Sequence, residues 1–433
     1  MRRKIVLVGA GSAVFTKGLL LDIIERRDEQ WSVGLVDTDP VALDVIDKLS
    51  RKMVEQKGAD IELSASVDRR DILPGADYVV STIGVGGRRA WEQDVFIPRK
   101  YGVYQPVGDT VGPGGLSRAM RMIPQLCDIA RDIKIICPDA LFLNYANPMT
   151  MNCMAIRRET GVPVIGLCHG VNNGLGRISR FMGLRKEDIS FTACGLNHMV
   201  FLYQMRKDAK DLFPYFVEML DKVPVEERQI GPLTENFVRE NHSYVVSDDR
   251  HYSEFVPETT LRGAYRGGEL GVKYYSFEGT IREGDEEFEE HRRYAYSAEA
   301  LPESFFERES GEHEQLMDII GAMIYDRPGI FYVNLPNCGA VAGLPDETVV
   351  ERPALISGSG IQPLQLPDFP VTLLPRLARF ATIYEMAVRA ALEGDRGLLL
   401  GAMCEASAIS DKETVRKMME ELLAAQKEYL PQF

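Results

Sequence analysis

Apolar residues gather into short unbroken runs along the first part of the chain. Ile5-Val6-Leu7-Val8, Val33-Gly34-Leu35-Val36, Tyr78-Val79-Val80-Ser81-Thr82-Ile83, Leu141-Phe142-Leu143-Asn144-Tyr145 and Val164-Ile165-Gly166-Leu167 are the clearest. Runs of this length without polar alternation predict strands buried on both faces, as in a parallel sheet. Between them the spacing of apolar positions lengthens to that of helices, over 14–27, 40–56 and about 116–132. Strands alternating with helices predict an α/β fold with a doubly wound sheet. After position 184 the pattern changes. Residues 189–206 read as strands around Asn197-His198, and mixed, charged segments follow to about 327. Residues 285–293 read as a solvated loop or helix, while 380–393 and 412–429 are amphipathic helices for the core or a subunit partner. The expected domains are therefore 1–185, an α/β unit, and 186–433, an α+β unit.

The first strand ends in Gly9-Ala10-Gly11-Ser12. Gly9 permits a tight turn, and Gly11 lets a pyrophosphate reach backbone N–H groups at a helix N-terminus formed by Ser12, Ala13, Val14 and Phe15. Val14 replaces the third glycine of the dinucleotide fingerprint, so the match is partial. The second strand ends in Asp37, where a carboxylate would accept ribose hydroxyls and repel a 2′-phosphate, which favours NAD over NADP. Thr82, Ile83 and Gly84 close the third strong strand and would line the same cofactor. The expected fold is thus Rossmann-type.

Composition narrows the function. Sixty-four acidic against 50 basic side chains give a net charge of −14, which argues against a nucleic-acid surface. Seven scattered cysteines suit a reducing compartment better than a disulfide framework. There is no apolar run of membrane-spanning length and no signal-like segment, so a soluble cytoplasmic protein is expected.

The chemistry-bearing stretches lie at strand ends. Cys168-His169-Gly170-Val171 follows the fifth run, and His198 sits in the Asn197-His198 turn. Thiolate and imidazole both suit a borderline-soft divalent metal, although a cysteine on an apolar strand is often plain core. Asp109 lies in a glycine-rich loop at 108–115, as a cap, an acid or an acceptor of sugar hydroxyls. Asn147, before Pro148, stands where ligands bind in open α/β sheets. Arg88 and Arg89 are either anion ligands or solvated charges. The segment 244–255 is dense in ionisable groups, among them Asp248, Asp249, His251 and Tyr252.

Together these motifs identify a resemblance. Val8-Gly9-Ala10-Gly11-Ser12, the 108–115 loop, Ala146-Asn147-Pro148, Cys168-His169-Gly170-Val171, Gly195-Leu196-Asn197-His198-Met199 and Asn334-Leu335-Pro336-Asn337 resemble, in order, the NAD-dependent family-4 glycoside hydrolases. The strand-end glycines and Asn-Pro turn also resemble the lactate and malate dehydrogenase architecture. The family resemblance implies NAD and a divalent metal, usually Mn2+, held by Cys168 and His198. It implies oxidation at carbon 3, removal of the carbon-2 proton, loss of the aglycone, water addition and re-reduction. Asp248 or Tyr252 is the implied base, with Asp249 and His251 behind them. His169 is the candidate acid or an orienter of Cys168, and Asn147, Arg88, Asp109 and His169 face the sugar. Cys-His-Gly-Val differs from the Cys-Asn and Cys-Asp variants of phospho-glycosidases and resembles the melibiase, α-glucosidase and α-glucuronidase branches. The expected substrate is an unphosphorylated α-galactoside or α-glucoside. A hexuronide comes next, with Arg88, Arg89, Arg262 or Arg266 to meet its carboxylate, then a 6-phospho-glycoside. A plain NAD-dependent dehydrogenase and a redox-sensing NAD-binding protein are the competing classes. A homodimer or homotetramer is expected.

Overall fold

The computed structural model describes residues 2–261, 276–307, 314–367 and 369–433, without the side chains of Ala13, Val14 and Glu314. Arg262 and Arg266 fall outside the described residues. Six strands, β1 (Arg3–Val8), β2 (Trp31–Val36), β3 (Ile61–Ser66), β4 (Tyr78–Ser81), β5 (Leu141–Asn144) and β6 (Val164–Gly166), form a parallel array ordered β3-β2-β1-β4-β5-β6. This is the doubly wound dinucleotide order, and it reverses between β1 and β4. Alternate residues explain the apolar runs. Val6, Val79, Phe142 and Val164 enter one core, while Ile5, Leu7, Val80, Leu143 and Ile165 enter the core on the opposite face.

The sheet continues past β6. β7 (Ser190–Leu196) and β8 (Met199–Lys207) form the predicted hairpin around Asn197-His198, with β9 (Lys210–Asp211) and β10 (Tyr244–Val245) on its outer side. β11 (Gly329–Pro336), β12 (Val349–Ser357) and β13 (Gly360–Pro363) are antiparallel. Asn334 pairs with Gly166 and Glu351 with Gly195, so β11 and β12 bridge the parallel array to the hairpin.

Helices α1 (Ala13–Glu25), α2 (Pro40–Lys57), α3 (Arg69–Ile72), α4 (Gly87–Lys100), α5 (Gly112–Ile136), α6 (Met149–Thr160) and α7 (Gly170–Phe181) follow the strands. Ser12 caps α1 by accepting the Phe15 N–H, and Asp39 caps α2 ahead of Pro40. α5 starts earlier than its periodicity predicts. Pro113 fits its first turn, and Gly115 lets it lie against the preceding loop, since a Cβ there would be 2.3 Å from the Thr110 carbonyl carbon. The segment expected as a solvated loop or helix is helix Phe277–Tyr296, which docks on α1 and α2 and packs its buried Phe277 and Ile281 against Trp91, Val95 and Phe96 of α4. Helix Leu374–Glu393 packs on α5 and α6, and helix Lys412–Ala425 packs on α4. Between them is a helix the sequence did not announce, Arg396–Ala406, whose Leu398-Leu399-Leu400-Gly401-Ala402 lacks a polar face. No helix among the described residues is long and apolar enough to cross a membrane.

Candidate active site and metal centre

The cofactor side of the site is assembled by backbone contacts at the sheet's reversal point. Gly9 has φ +92°, and a Cβ on it would stand 2.7 Å from the Ile83 amide nitrogen, so only glycine fits. Gly9 and Ala10 donate to the Val36 carbonyl at 2.9 Å, and the Thr82 hydroxyl donates to the Gly9 carbonyl at 3.0 Å. The Gly11 N–H donates to Asp37 Oδ2 at 2.8 Å. Burial raises the Asp37 carboxyl pKa against the opposing bonds from the Asp39 and Gly11 amides. Gly9, Gly11, Ser12, Phe15, Asp37, Thr82, Ile83 and Gly84 thus stand at or beside the ends of β1, β2 and β4.

Three side chains from distant segments converge at the other side. One ligand atom each from Asp109, His198 and His251 lies within 4.8 Å of the others. His198 occupies the β7–β8 turn with φ +66°, its carbonyl held by the Ser247 hydroxyl at 2.8 Å. Its ring and that of His251 have centroids 4.2 Å apart. Asp109 accepts from the Thr110 hydroxyl at 2.7 Å and from Asn147 Nδ2 at 2.9 Å. Thr110 has one hydroxyl proton and gives it to Asp109. Its 3.0 Å contact with His198 Nδ1 therefore has the imidazole N–H as donor. That fixes the tautomer and leaves the Nε2 lone pair available for a metal.

Electrostatics agree with a cation site. Burial, reinforced by His251, pushes the His198 pKa down to about 3, and burial lowers that of His251 too. Both rings are neutral ligands at ordinary pH. Burial opposes charge on Asp109, but attraction to His198 and His251 whenever either ring takes a proton, with Arg118 beside them, outweighs it and holds the carboxyl below its usual range. One carboxylate and two imidazoles suit Mn2+ and its first-row neighbours.

The remaining candidates separate. The Cys168 sulfur lies outside the three-residue cluster and receives the Gly170 N–H at 3.4 Å. His169 adjoins it at the start of α7, near enough to act on the charge of both clustered histidines. Asp248 caps a short turn of helix, Asp249–Tyr252. Burial raises its pKa, but His251, Arg250 and Arg177 outweigh this and keep it a carboxylate. Tyr252 is 4% exposed, packs edge-on to Phe237 with centroids 5.6 Å apart, and has its phenol pushed up to about 12 by burial. Asp249 accepts from the amides of Leu233 and Thr234 and the Thr234 hydroxyl, which makes it a structural cap. Arg88 is bound to Asp285 at 2.6 Å, and Arg89 pairs with Asp285 and Glu92. Neither is a free anion ligand. The sequence reading missed His251 as a member of the cluster, Thr110 as its relay, and Arg118. The density of ionisable groups at 244–255 was the available signal for the first.

The family 4 glycosyl hydrolase model matches residues 4–182, and the model of that family's C-terminal domain matches residues 193–406. The chain belongs to glycosyl hydrolase family 4. It is 31% identical to an alpha-galactosidase of Rhizobium meliloti, covering 99% of this chain and 89% of that one. It is 30% identical to an alpha-glucosidase of Erwinia rhapontici, covering 99% of both. An alpha-galacturonidase of Thermoanaerobacterium saccharolyticum is 28% identical over 98% of this chain and 96% of that one. Among solved structures, lplD of Bacillus subtilis superposes with TM-score 0.85 at 26% identity, covering 98% and 100%. A 6-phospho-alpha-glucosidase from gut microorganisms, solved with NAD and Mn2+, gives 0.84 at 18%, covering 100% and 99%. Malate dehydrogenase of Plasmodium falciparum gives 0.51 at 14%, covering 92% and 99%, so the dehydrogenase-like architecture is real. The protein is a family 4 glycosidase.

Proposed function

We propose that this glycosidase hydrolyses an unphosphorylated α-glycoside of galactose or glucose configuration by oxidation, elimination, water addition and reduction. The carrying observation is the convergence of Asp109, His198 and His251, with Asp109 tied to Asn147 just past the end of β5, beside a dinucleotide cradle at the ends of β1, β2 and β4. When bound, NAD would take the carbon-3 hydride and return it, while a divalent cation would stabilise charge on the neighbouring oxygens. Asp109, His198 and His251 would hold the cation, and we keep Cys168, beside His169, as a further donor. Gly9, Gly11, Ser12, Asp37, Thr82, Ile83 and Gly84 would hold the dinucleotide.

The chain's own groups divide the proton transfers. Asp248 is ionised, so it can take the carbon-2 proton. Tyr252 is buried and protonated, which disfavours it as base. His169 would donate the proton that the leaving oxygen needs, and water returns across carbons 1 and 2. Asn147 would orient the sugar through the amide that also holds Asp109.

Turnover in heavy water tests the reading. Product should carry deuterium at carbon 2 by NMR, with no net NADH by absorbance. Product without carbon-2 deuterium would sink the elimination, and stoichiometric NADH would make the protein a dehydrogenase. Chelation should abolish turnover and Mn2+ restore it.

A further inference from the structure

Arg118 stands early in α5, between the two halves of the site. Its Nε donates to the Asn147 backbone carbonyl at 3.1 Å. Its guanidinium carbon lies 5.7 Å from the centroid of the Trp91 ring. Its Nη2 comes within 4.0 Å of where a Gly84 Cβ would stand. The guanidinium is thus wedged between the cofactor loop and the Asp109–Asn147 pair.

Its two terminal nitrogens have no hydrogen-bond partner and no carboxylate within ion-pair distance among the described residues. The nearby arginines differ. Arg88 and Arg89 are closed by Asp285, and Arg121 by Asp94. Asp109 influences Arg118 only at a distance, because its oxygens face Thr110 and Asn147. Arg118 is half-buried and its terminal nitrogens still reach solvent, so they are open to an anionic ligand that would pair with them in place of water.

We propose that Arg118 binds a carboxylate at carbon 6 of the sugar, which makes the substrate an α-hexuronide. This rests on the glycosidase reading above. A planar fork of N–H donors matches a planar carboxylate. One unpaired guanidinium balances a monoanion and leaves a phosphate dianion undercompensated. A neutral hydroxymethyl group would leave the guanidinium uncompensated. The cofactor's pyrophosphate is the other source of anionic oxygen, and the backbone cradle at the start of α1 already provides for it.

The test uses the full chain with NAD+, Mn2+ and a thiol reductant. Matched nitrophenyl α-galacturonide, α-glucuronide, α-galactoside and α-glucoside are compared by kcat/KM, with 6-phospho-glycosides as a further arm. The wild type should favour a uronide. Arg118→Gln should lose about 100-fold in kcat/KM on it, mainly through KM, and lose far less on the neutral glycosides, so that the ratio of uronide to neutral kcat/KM falls. Arg118→Lys should fall between, keeping the charge without the fork. Calorimetry with free galacturonate, glucuronate and galactose should show uronate binding that Arg118→Gln loses, while NAD+ affinity and the thermal midpoint hold. A preference for neutral or 6-phospho-glycosides, an unchanged uronide preference in Arg118→Gln, or a fall in NAD+ affinity would each overturn the assignment. Uronate binding lost in the variant without any turnover would sustain Arg118 and sink the hydrolase. Neutral glycosides cleaved without uronate binding would do the reverse.

Discussion

Thr110 shows how one hydroxyl can set the state of a site. It donates to Asp109 and accepts from His198, so it fixes a tautomer and orients a carboxylate together. Thr110→Val should weaken Mn2+ binding about 10–100-fold, the usual cost of losing a support behind a metal ligand. Titration of Mn2+ followed by electron paramagnetic resonance reads this without turnover, and unchanged affinity would remove Thr110 from the centre. Glu254 acts on the same loop from the other side. It is 2% exposed, and one oxygen accepts from the Val107 and Gly108 amides at 2.7 and 2.9 Å, just before Asp109. Burial pushes its pKa up to about 8 from a model-compound value of 4.5. The folded state therefore holds this proton more tightly than the unfolded chain. The stabilisation is full below about pH 4.5 and is lost as pH rises through about 8. The stability of wild type relative to Glu254→Gln should fall across that window and level off above it. Urea unfolding at several pH values measures the difference, and a flat one would contradict the assignment.

At the level of elements, the site depends on how closely α5 lies against its own preceding loop. A Cβ at Gly115 would meet Thr110 backbone atoms at 2.3 to 3.0 Å, and one at Gly114 would stand 2.8 Å from the Asp94 carbonyl oxygen. Backbone cannot give way as a flexible side chain can. Gly115→Ala should cost about 1–3 kcal/mol in unfolding and lower Mn2+ affinity, because the loop that must shift carries Asp109 and Thr110. Alanine is the better helix former, so local propensity alone predicts the opposite sign for stability. A stabilised variant with normal metal binding would show that the loop relaxes freely.

For the molecule as a whole, a buried polar knot ties the C-terminal segment to helices α4 and α5. Arg121 meets both oxygens of Asp94, at 3.0 and 2.5 Å, and Gln426 at 2.5 Å, while Gln426 donates to Asp94 at 2.6 Å. Arg121 also donates to the Val85 carbonyl at 2.9 Å, next to Gly84 and Gly86. The ion pair is 1% and 0% exposed, so Arg121→Met leaves a buried carboxylate without its cation. That should destabilise the protein by about 3–5 kcal/mol. Denaturant unfolding measures it, and Asp94→Asn combined with Arg121→Met should recover part of the loss. No recovery would mean that the arginine acts through packing alone.

The sequence by itself determined five of the six parallel strands, the Gly9–Ser12 turn and the Asn197-His198 hairpin; β3, the outermost of the array and only half-buried, shows no unbroken apolar run. Each of the legible elements rests on interactions within a few residues: an unbroken apolar run, a positive φ, a cap. The family motifs were legible for the same reason, since each is one short turn at a strand end. Helix Arg396–Ala406 was not legible, because an element apolar on most sides has no period to read. Only the tertiary structure decided that His251 would stand against His198 and Asp109, while Tyr252, its neighbour in the chain, turns into the core against Phe237. The tertiary structure also decided that Asp285 closes Arg88 and that no described carboxylate closes Arg118. A side chain's type says what it can bind. Whether a partner is within reach depends on how segments far apart in the chain pack, which no local pattern records.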